Sequence, residues 1–337
     1  MKYNMKSWLR QVMDSKEKKA FPVLSFPCVS LLGITVKELI SDSALQARGM
    51  KLIADRTDAL ASVSFMDLSV EAECFGADIV ISDDEVPTVN GRIVNDMDDA
   101  EALKIPDVGS GRTQVYINAV AKACEKITDR PVFAGMIGPY SLAARLLDVS
   151  EIMMDCYDDP DMVHIVLKKV TAFLIEYAKA YKSIGADGIV IAEPVAGLLS
   201  PALEEEFSSP YIKKIVDAVQ DDKFIVIYHN CGNNVPMMLD SILSTGSSAY
   251  HFGNAVDMDK DIIAKVPSDV LVMGNLDPAG LLCMGTPEMV KAETLGLLEK
   301  CAKYPNFVLS SGCDIPPMTP WENISAFFDA NKEYWKG

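Results

Sequence analysis

Three residues in this chain carry side chains that hold soft and borderline metals tightly. His229 and Cys231 lie in Tyr228-His229-Asn230-Cys231-Gly232, and Cys313 lies in Ser311-Gly312-Cys313-Asp314. Imidazole and thiolate are preferred donors for zinc, and three protein ligands with a fourth position free are usual in catalytic zinc sites. Two thiolates cancel the charge of Zn²⁺. A further thiol bound there loses its proton yet keeps electron density on sulfur, which makes it a good nucleophile. The chemistry such a site suits is transfer of an alkyl group to that thiolate. The same residue types after a strand also serve as ordinary packing residues, and a lone His-x-Cys does not distinguish the two.

His229-Cys231 and Cys313 are far apart in the chain, so the fold has to bring them together. Short apolar runs rich in β-formers alternate with amphipathic helical stretches, the pattern of parallel strands with helical crossovers. Strand candidates are Val23–Phe26, Ala61–Phe65, Ile79–Ser82, Val132–Met136, Gly188–Ala192, Phe224–Tyr228, Ala249–Phe252, Val270–Met273 and Phe307–Ser310. The expected fold is a TIM-type (β/α)₈ barrel occupying residues 1–337 as one domain, with residues 1–20 as a short N-terminal helical extension. These candidates exceed eight, so one near the N-terminus is expected to be an entry hairpin or no strand at all. Gly76-Ala77-Asp78-Ile79-Val80-Ile81 and Gly185-Ala186-Asp187-Gly188-Ile189-Val190-Ile191 echo one another, each a helix end running into a strand. A doubly wound open sheet is the alternative, but no glycine-rich dinucleotide fingerprint follows any early strand. Residues 83–113, rich in Pro, Gly and Asp, read as a long excursion.

Helix starts are marked by Asp159-Pro160, Ser200-Pro201, Thr286-Pro287 and the capping-box spacing Thr319-Pro320-Trp321-Glu322. Barrel active sites lie at the carboxyl ends of the strands. That rule singles out Asp83-Asp84, Gly138-Pro139, Glu193-Pro194, His229 to Gly232, Asn254, Asn275, Asp277 and Cys313-Asp314. Of the remaining histidines, His164 sits at the surface or boundary of a long helix, and His251, on a strand, faces either the barrel or the helices. Cys74, Cys124, Cys156, Cys283 and Cys301 read as small buried apolar residues.

Composition narrows the partners. With 49% hydrophobic and 23% charged residues the chain can bury a large core. The net charge of −17 argues against binding a phosphate backbone, which needs basic surface. No apolar run reaches the roughly 18 residues of a membrane span, and no apolar stretch follows the basic residues at the start, so no membrane association and a cytoplasmic location are expected.

Longer segments carry a resemblance. His229-Asn230-Cys231-Gly232-Asn233, Gly274-Asn275-Leu276-Asp277-Pro278, Gly285-Thr286-Pro287-Glu288, the run from Ser311 to Asn323 and the run from Met66 to Gly76 resemble segments of the methylcobamide:coenzyme M methyltransferases, which belong to the uroporphyrinogen decarboxylase superfamily. The likeness covers roughly residues 20–335 in order. It implies a (β/α)₈ barrel with zinc held by His229, Cys231 and Cys313. It also implies a methylated corrinoid as donor, carried on a separate small protein, and a small thiol such as coenzyme M as acceptor. The decarboxylase branch is the rival activity. Its arginine-rich N-terminal segment corresponds here to Phe21–Ser30, which contains no arginine, so porphyrin carboxylates would be desolvated there without a paired charge.

The same likeness suggests further roles. Glu193 is expected either as a fourth zinc ligand or as the base that receives the thiol proton, against the plain alternative of a capping or solvent-facing carboxylate. Asp67 matches the region of the decarboxylases' key aspartate and is expected to face substrate, while Glu71 and Glu73 read as a solvated or capping face. Asn254, Asn275 and Asp277 are expected on the rim, binding the corrinoid or orienting ligands. Asp314 is expected to accept a hydrogen bond from His229.

Overall fold

A computed structural model describes residues 3–336. The strands are β1 (Ser62–Val63), β2 (Asp78–Val80), β3 (Thr88–Asn90), β4 (Val132–Ile137), β5 (Gly188–Ala192), β6 (Ile225–Asn230), β7 (Ala249–Phe252), β8 (Leu271–Leu276) and β9 (Phe307–Ser311). Seven of them form one parallel sheet in the order β1-β4-β5-β6-β7-β8-β9. From β4 onward every sheet residue is buried, as expected for parallel strands covered on both faces. Helices such as Thr113–Lys126, Pro160–Ser183 and Pro287–Cys301 supply the crossovers.

The two edges of this curled sheet approach one another across residues 20–23. Leu60 N donates to Ala20 O (2.8 Å) on the β1 side, and Phe21 N donates to Leu309 O (2.8 Å) on the β9 side. Val23 N donates to Ser311 Oγ (3.0 Å), and Ile315 N to Val23 O (3.0 Å). The expected strand Val23–Phe26 is therefore not a ladder strand. Pro22 and Pro27 bracket it and remove backbone donors, leaving isolated bonds.

Ile79–Ser82, expected as a strand of the barrel, lies instead in a separate hairpin: β2 pairs antiparallel with β3 alone. Asp78 and Val80 are exposed, so this segment has no buried face to offer the main sheet. Asp83-Asp84 accordingly do not sit at a strand end of the main sheet. The sequence echo does hold at the helix ends, where Gly76 (φ +97°) and Gly185 (φ +93°) both take the left-handed conformation.

Inward-facing residues alternate along the strands, and the chain start seals one end of the interior. Phe133, Val190, Ile225, Ile227, Ala249, Leu271, Met273 and Val308 form one core with Met5, Trp8 and Val12 of the helix Met5–Asp14. Met5 N donates to Asp222 O just before β6, so this helix plugs the amino-terminal end of the strands. The opposite end is left for chemistry. Asp159, Ser200 and Thr286 cap their helices as anticipated. Thr319 does not, since its buried hydroxyl has no partner and the helix starts at Trp321. Among the described residues no helix is long and apolar enough to cross a membrane.

Candidate metal centre

The alternation that puts Ile225 and Ile227 in the interior carries His229 there too, at the carboxyl end of β6. The register pairs His229 with His251 on β7 and with Ala192 on β5. Cys231 follows two residues past His229, and Cys313 two residues past the end of β9. The ligand atoms of His229, Cys231 and Cys313 all lie within 4.8 Å of one another. His229 Nε2 is 3.5 Å from Cys313 Sγ. A tetrahedral zinc with ordinary bond lengths would set that edge at about 3.6 Å. Donor types, burial and spacing therefore fit such an ion.

Close backbone approach makes the cluster possible. A Cβ on Gly253 would lie 2.5 Å from both Cα and Cβ of Cys231, and one on Gly232 would lie 2.3 Å from Gly197 Cα. The loops leaving β5, β6 and β7 can touch only because these positions lack a side chain. Asn275 braces the arrangement, its Nδ2 donating to Gly253 O (2.8 Å) and Val256 O (2.9 Å).

The two thiols are shifted in opposite directions. Cys231 is pulled below the ordinary thiol range, chiefly by its hydrogen bond with Cys313. Cys313 is pushed up to about 12 by the same bond and by burial. Beneath them His229 Nδ1 lies 2.7 Å from His251 Nδ1 and 3.2 Å from His251 O. His251 is fully buried, faces the interior, and has its imidazole held well toward the neutral form by burial and by His229. His251 Nε2 reaches Ser310 Oγ (2.7 Å), and that hydroxyl donates to Phe21 O (2.5 Å). The orienting partner of His229 is therefore His251 and not Asp314. Asp314 Oδ1 is buried with no hydrogen-bond partner, and burial raises its carboxyl far above the usual range, with Cys313 adding to the shift. A cavity of about 80 Å³, roughly two to three waters in volume, opens onto His229, Cys313 and Asp314. Val23, Met66, Leu68, Ala192 and Pro194 give it apolar walls.

The other anticipated residues lie outside this cluster. Glu193 is fully buried and accepts from Tyr140 N (2.9 Å), Ser141 N (2.8 Å) and Ser141 Oγ (2.7 Å) at the start of the helix Pro139–Leu147. Burial pushes it up to about 7 against those hydrogen bonds. Asp67 is engaged by Arg112, Tyr116 Oη (2.7 Å) and Ser69 Oγ (2.6 Å), and it does not line the cavity although Met66 and Leu68 do. Glu73 pairs with the same arginine (2.6 Å). Glu71 is buried rather than solvated, with Oε2 unpartnered. Asn254, Asn275 and Asp277 line a separate cleft of about 640 Å³ that contains none of the three ligands. Within it Asn254 is exposed, while Asp277 caps the turn that follows β8 through Ala279 N and Gly280 N (both 2.9 Å). His164 is half-buried and stacks on Phe207. Cys124, Cys156 and Cys301 are buried as anticipated, but Cys74 and Cys283 are only half-buried. Sequence reasoning left open which way His251 faces and passed over Ser310. Their signal was the period of two that they share with Ala249 and Val308.

Fold and site together define an α/β protein with a curled parallel sheet and, at the carboxyl ends of its strands, a histidine-dithiol cluster that could hold a metal ion. The chain belongs to the uroporphyrinogen decarboxylase (URO-D) family, whose model matches residues 25–334. It is 32% identical over 277 residues to a methylcobamide:CoM methyltransferase of Methanosarcina acetivorans, covering 80% of this chain and 78% of that one. A uroporphyrinogen decarboxylase of Pseudoalteromonas atlantica is 27% identical over 288 residues, covering 83% and 80% of the two chains. Among solved structures, a methyltransferase from Methanosarcina mazei superposes with a TM-score of 0.88 at 25% identity over 99% of each chain. A B12-independent methionine synthase from Shewanella sp. W3-18-1 shares the fold, with a TM-score of 0.61 at 13% identity over 95% of this chain and 97% of that one.

Proposed function

We infer that this enzyme moves a methyl group from a methylated corrinoid, carried on a separate small protein, to a small thiol such as coenzyme M activated at a zinc held by His229, Cys231 and Cys313. The observation that carries this reading is the convergence of one imidazole and two thiols within 4.8 Å, His229 and Cys313 among them lining a cavity with largely apolar walls. Relatives that are methylcobamide:CoM methyltransferases support it. In this reading residues 20–23 complete an eight-staved barrel around the site.

Bound zinc supplies a Lewis acid that lowers the acceptor thiol's pKa and holds its sulfur. The chain's own residues do the rest. Cys231 and Cys313 balance the ion's charge, and His229 leaves the overall site neutral. Val23, Met66, Leu68 and Pro194 keep water from the nucleophilic sulfur. Transfer would form a carbon–sulfur bond and break the donor's carbon–cobalt bond, the electron pair staying with the corrinoid and the thiol proton passing to solvent. Leu198, Met237, Met284 and Met318, all exposed, lie in the segments after β5, β6, β8 and β9. They give the carboxyl-end rim apolar contacts suited to a docking protein. Asn254 is the exposed rim residue proposed to meet the corrinoid, and Asn275 and Asp277 act by holding their loops. Glu193 and Asp67 are proposed as positioning residues, since each carboxylate is occupied by local donors.

Decarboxylation of a porphyrinogen is disfavoured because the residues lining the cavity include no cation, and Arg112 is spent on Asp67 and Glu73. Elemental analysis of wild type and Cys313→Ala tests the reading. One zinc per chain, lost or sharply weakened in the variant together with methyl transfer from methylcobalamin to thiols, is the expected result. No zinc in reduced, folded wild type, or undiminished transfer by the variant, would overturn it.

A further inference from the structure

A metal ligand histidine must present a lone pair, and His229 has two ring nitrogens from which to offer it. Nε2 is the one that faces Cys313 Sγ, at 3.5 Å. Its protonation is decided at the other nitrogen. His229 Nδ1 lies 3.2 Å from the backbone oxygen of His251 and 2.7 Å from that residue's Nδ1. A carbonyl oxygen only accepts, so the nitrogen approaching both acceptors carries the hydrogen. His251 Nδ1 is then a lone-pair site, and the hydrogen of this imidazole sits on Nε2, 2.7 Å from Ser310 Oγ. Ser310 can accept it because its own single proton goes to Phe21 O at 2.5 Å. Reversed, the chain of bonds would leave the Phe21 carbonyl facing a lone pair. Donors and acceptors match in one direction only.

We propose that His251 and Ser310 are positioning residues that hold His229 as its Nδ1–H tautomer, so that its Nε2 lone pair is presented to the metal, with the backbone carbonyls of His251 and Phe21 setting the polarity. The proposal rests on the zinc reading above. It gives His251 the part that a carboxylate or carbonyl ordinarily takes behind a ligating histidine. His251 is 0% exposed and lies in register with His229, so the relay is built into the sheet.

The direct test is nitrogen NMR of imidazole-labelled, reduced, zinc-free protein. The chain has three histidines, and a His164→Gln background leaves the two of interest. His229 should show a protonated Nδ1 and a bare Nε2, His251 the reverse, and zinc should shift His229 Nε2. Zinc affinity, read by competition with a chromophoric chelator, should fall about 10- to 100-fold in His251→Leu. His251→Asn, which keeps an acceptor oxygen near the Nδ1 position, should recover most of it, and Ser310→Ala should lie between. Equal affinity in the Leu and Asn variants, a proton on His229 Nε2, or zinc on Nδ1 overturns the relay. If the Leu variant does not fold, the wild-type spectrum still decides. Wild type with the expected tautomer but no zinc uptake overturns the metal reading alone.

Discussion

Replacing Gly253 by alanine adds one methyl group 2.5 Å from Cα and Cβ of Cys231, against backbone rather than a flexible side-chain tip. Carbon atoms in ordinary contact sit at about 3.5 Å or more, so Cys231 or the β7 exit must retreat by about 1 Å. Zinc sites tolerate about 0.2 Å in their bond lengths. A 1 Å misplacement of reacting groups costs about 100-fold in rate, equivalent to about 2.7 kcal/mol. Overpacking of this kind costs the fold only about 1–3 kcal/mol. The expected Gly253→Ala protein is therefore folded, with zinc affinity and methyl transfer each down about two orders of magnitude. Chelator competition and methylcobalamin turnover measure the two losses, and circular dichroism confirms the fold. Gly296→Ala is the control, because a Cβ there meets nothing within 4 Å. It should keep zinc and gain about 0.5–1 kcal/mol as a helical Gly-to-Ala change. A Gly253→Ala protein with wild-type zinc affinity would refute the argument that loop contact sets the position of Cys231.

Asp67→Asn breaks a buried pair with Arg112 and should cost about 3 kcal/mol in chemical denaturation, Glu73 softening the loss; a change below 1 kcal/mol would contradict this. Asn275→Ala leaves the carbonyls of Gly253 and Val256 without their donor, which should cost about 2 kcal/mol and weaken zinc binding, and a variant that loses neither would count against the bracing role. Burial pushes Glu71 up to about 7 from 4.5. The folded state therefore holds this proton more tightly, and the group's contribution to stability, complete below about pH 4.5, is lost as pH rises through 7. Urea unfolding at pH 5.5 and 8 should show wild type losing on the order of 2 kcal/mol more than Glu71→Gln, whereas parallel losses would mean that Glu71 does not titrate in this window.

Much of this was legible in the residues. Buried parallel strands announce themselves as unbroken apolar runs, so β4 to β9 could be read directly. The His229, Cys231 and Cys313 set followed from strand-end logic and from a familiar motif. Other features were not legible because they depend on who meets whom across the curled sheet. Glu193 sits at a strand end like a ligand, yet Gly138, where a Cβ would lie 2.4 Å from the Glu193 carboxyl carbon, lets it swing onto a helix start instead. Asp67 resembles a substrate-facing aspartate until Arg112, far along the chain, closes over it. Ile79–Ser82 had the composition of a stave, but only a partner strand could show which sheet it joined. Asp314 was the nearer guess as partner to His229, whereas register put His251 there.

The seam across residues 20–23 has a consequence for the order of assembly. Its bonds to β9 join positions separated by 288 residues, as between Val23 N and Ser311 Oγ. Contacts so distant in sequence carry a large loop-closure cost and form late. Cys313 lies on the same late arrival, 84 residues beyond His229. At ordinary rates of synthesis that separation is roughly 4 to 17 s on the ribosome. During that interval a nascent chain exposes His229 and Cys231 as an incomplete chelate with the ring still open. The element that closes the seam also delivers the third ligand of the proposed zinc site, so in that reading metal capture and completion of the fold would be one event.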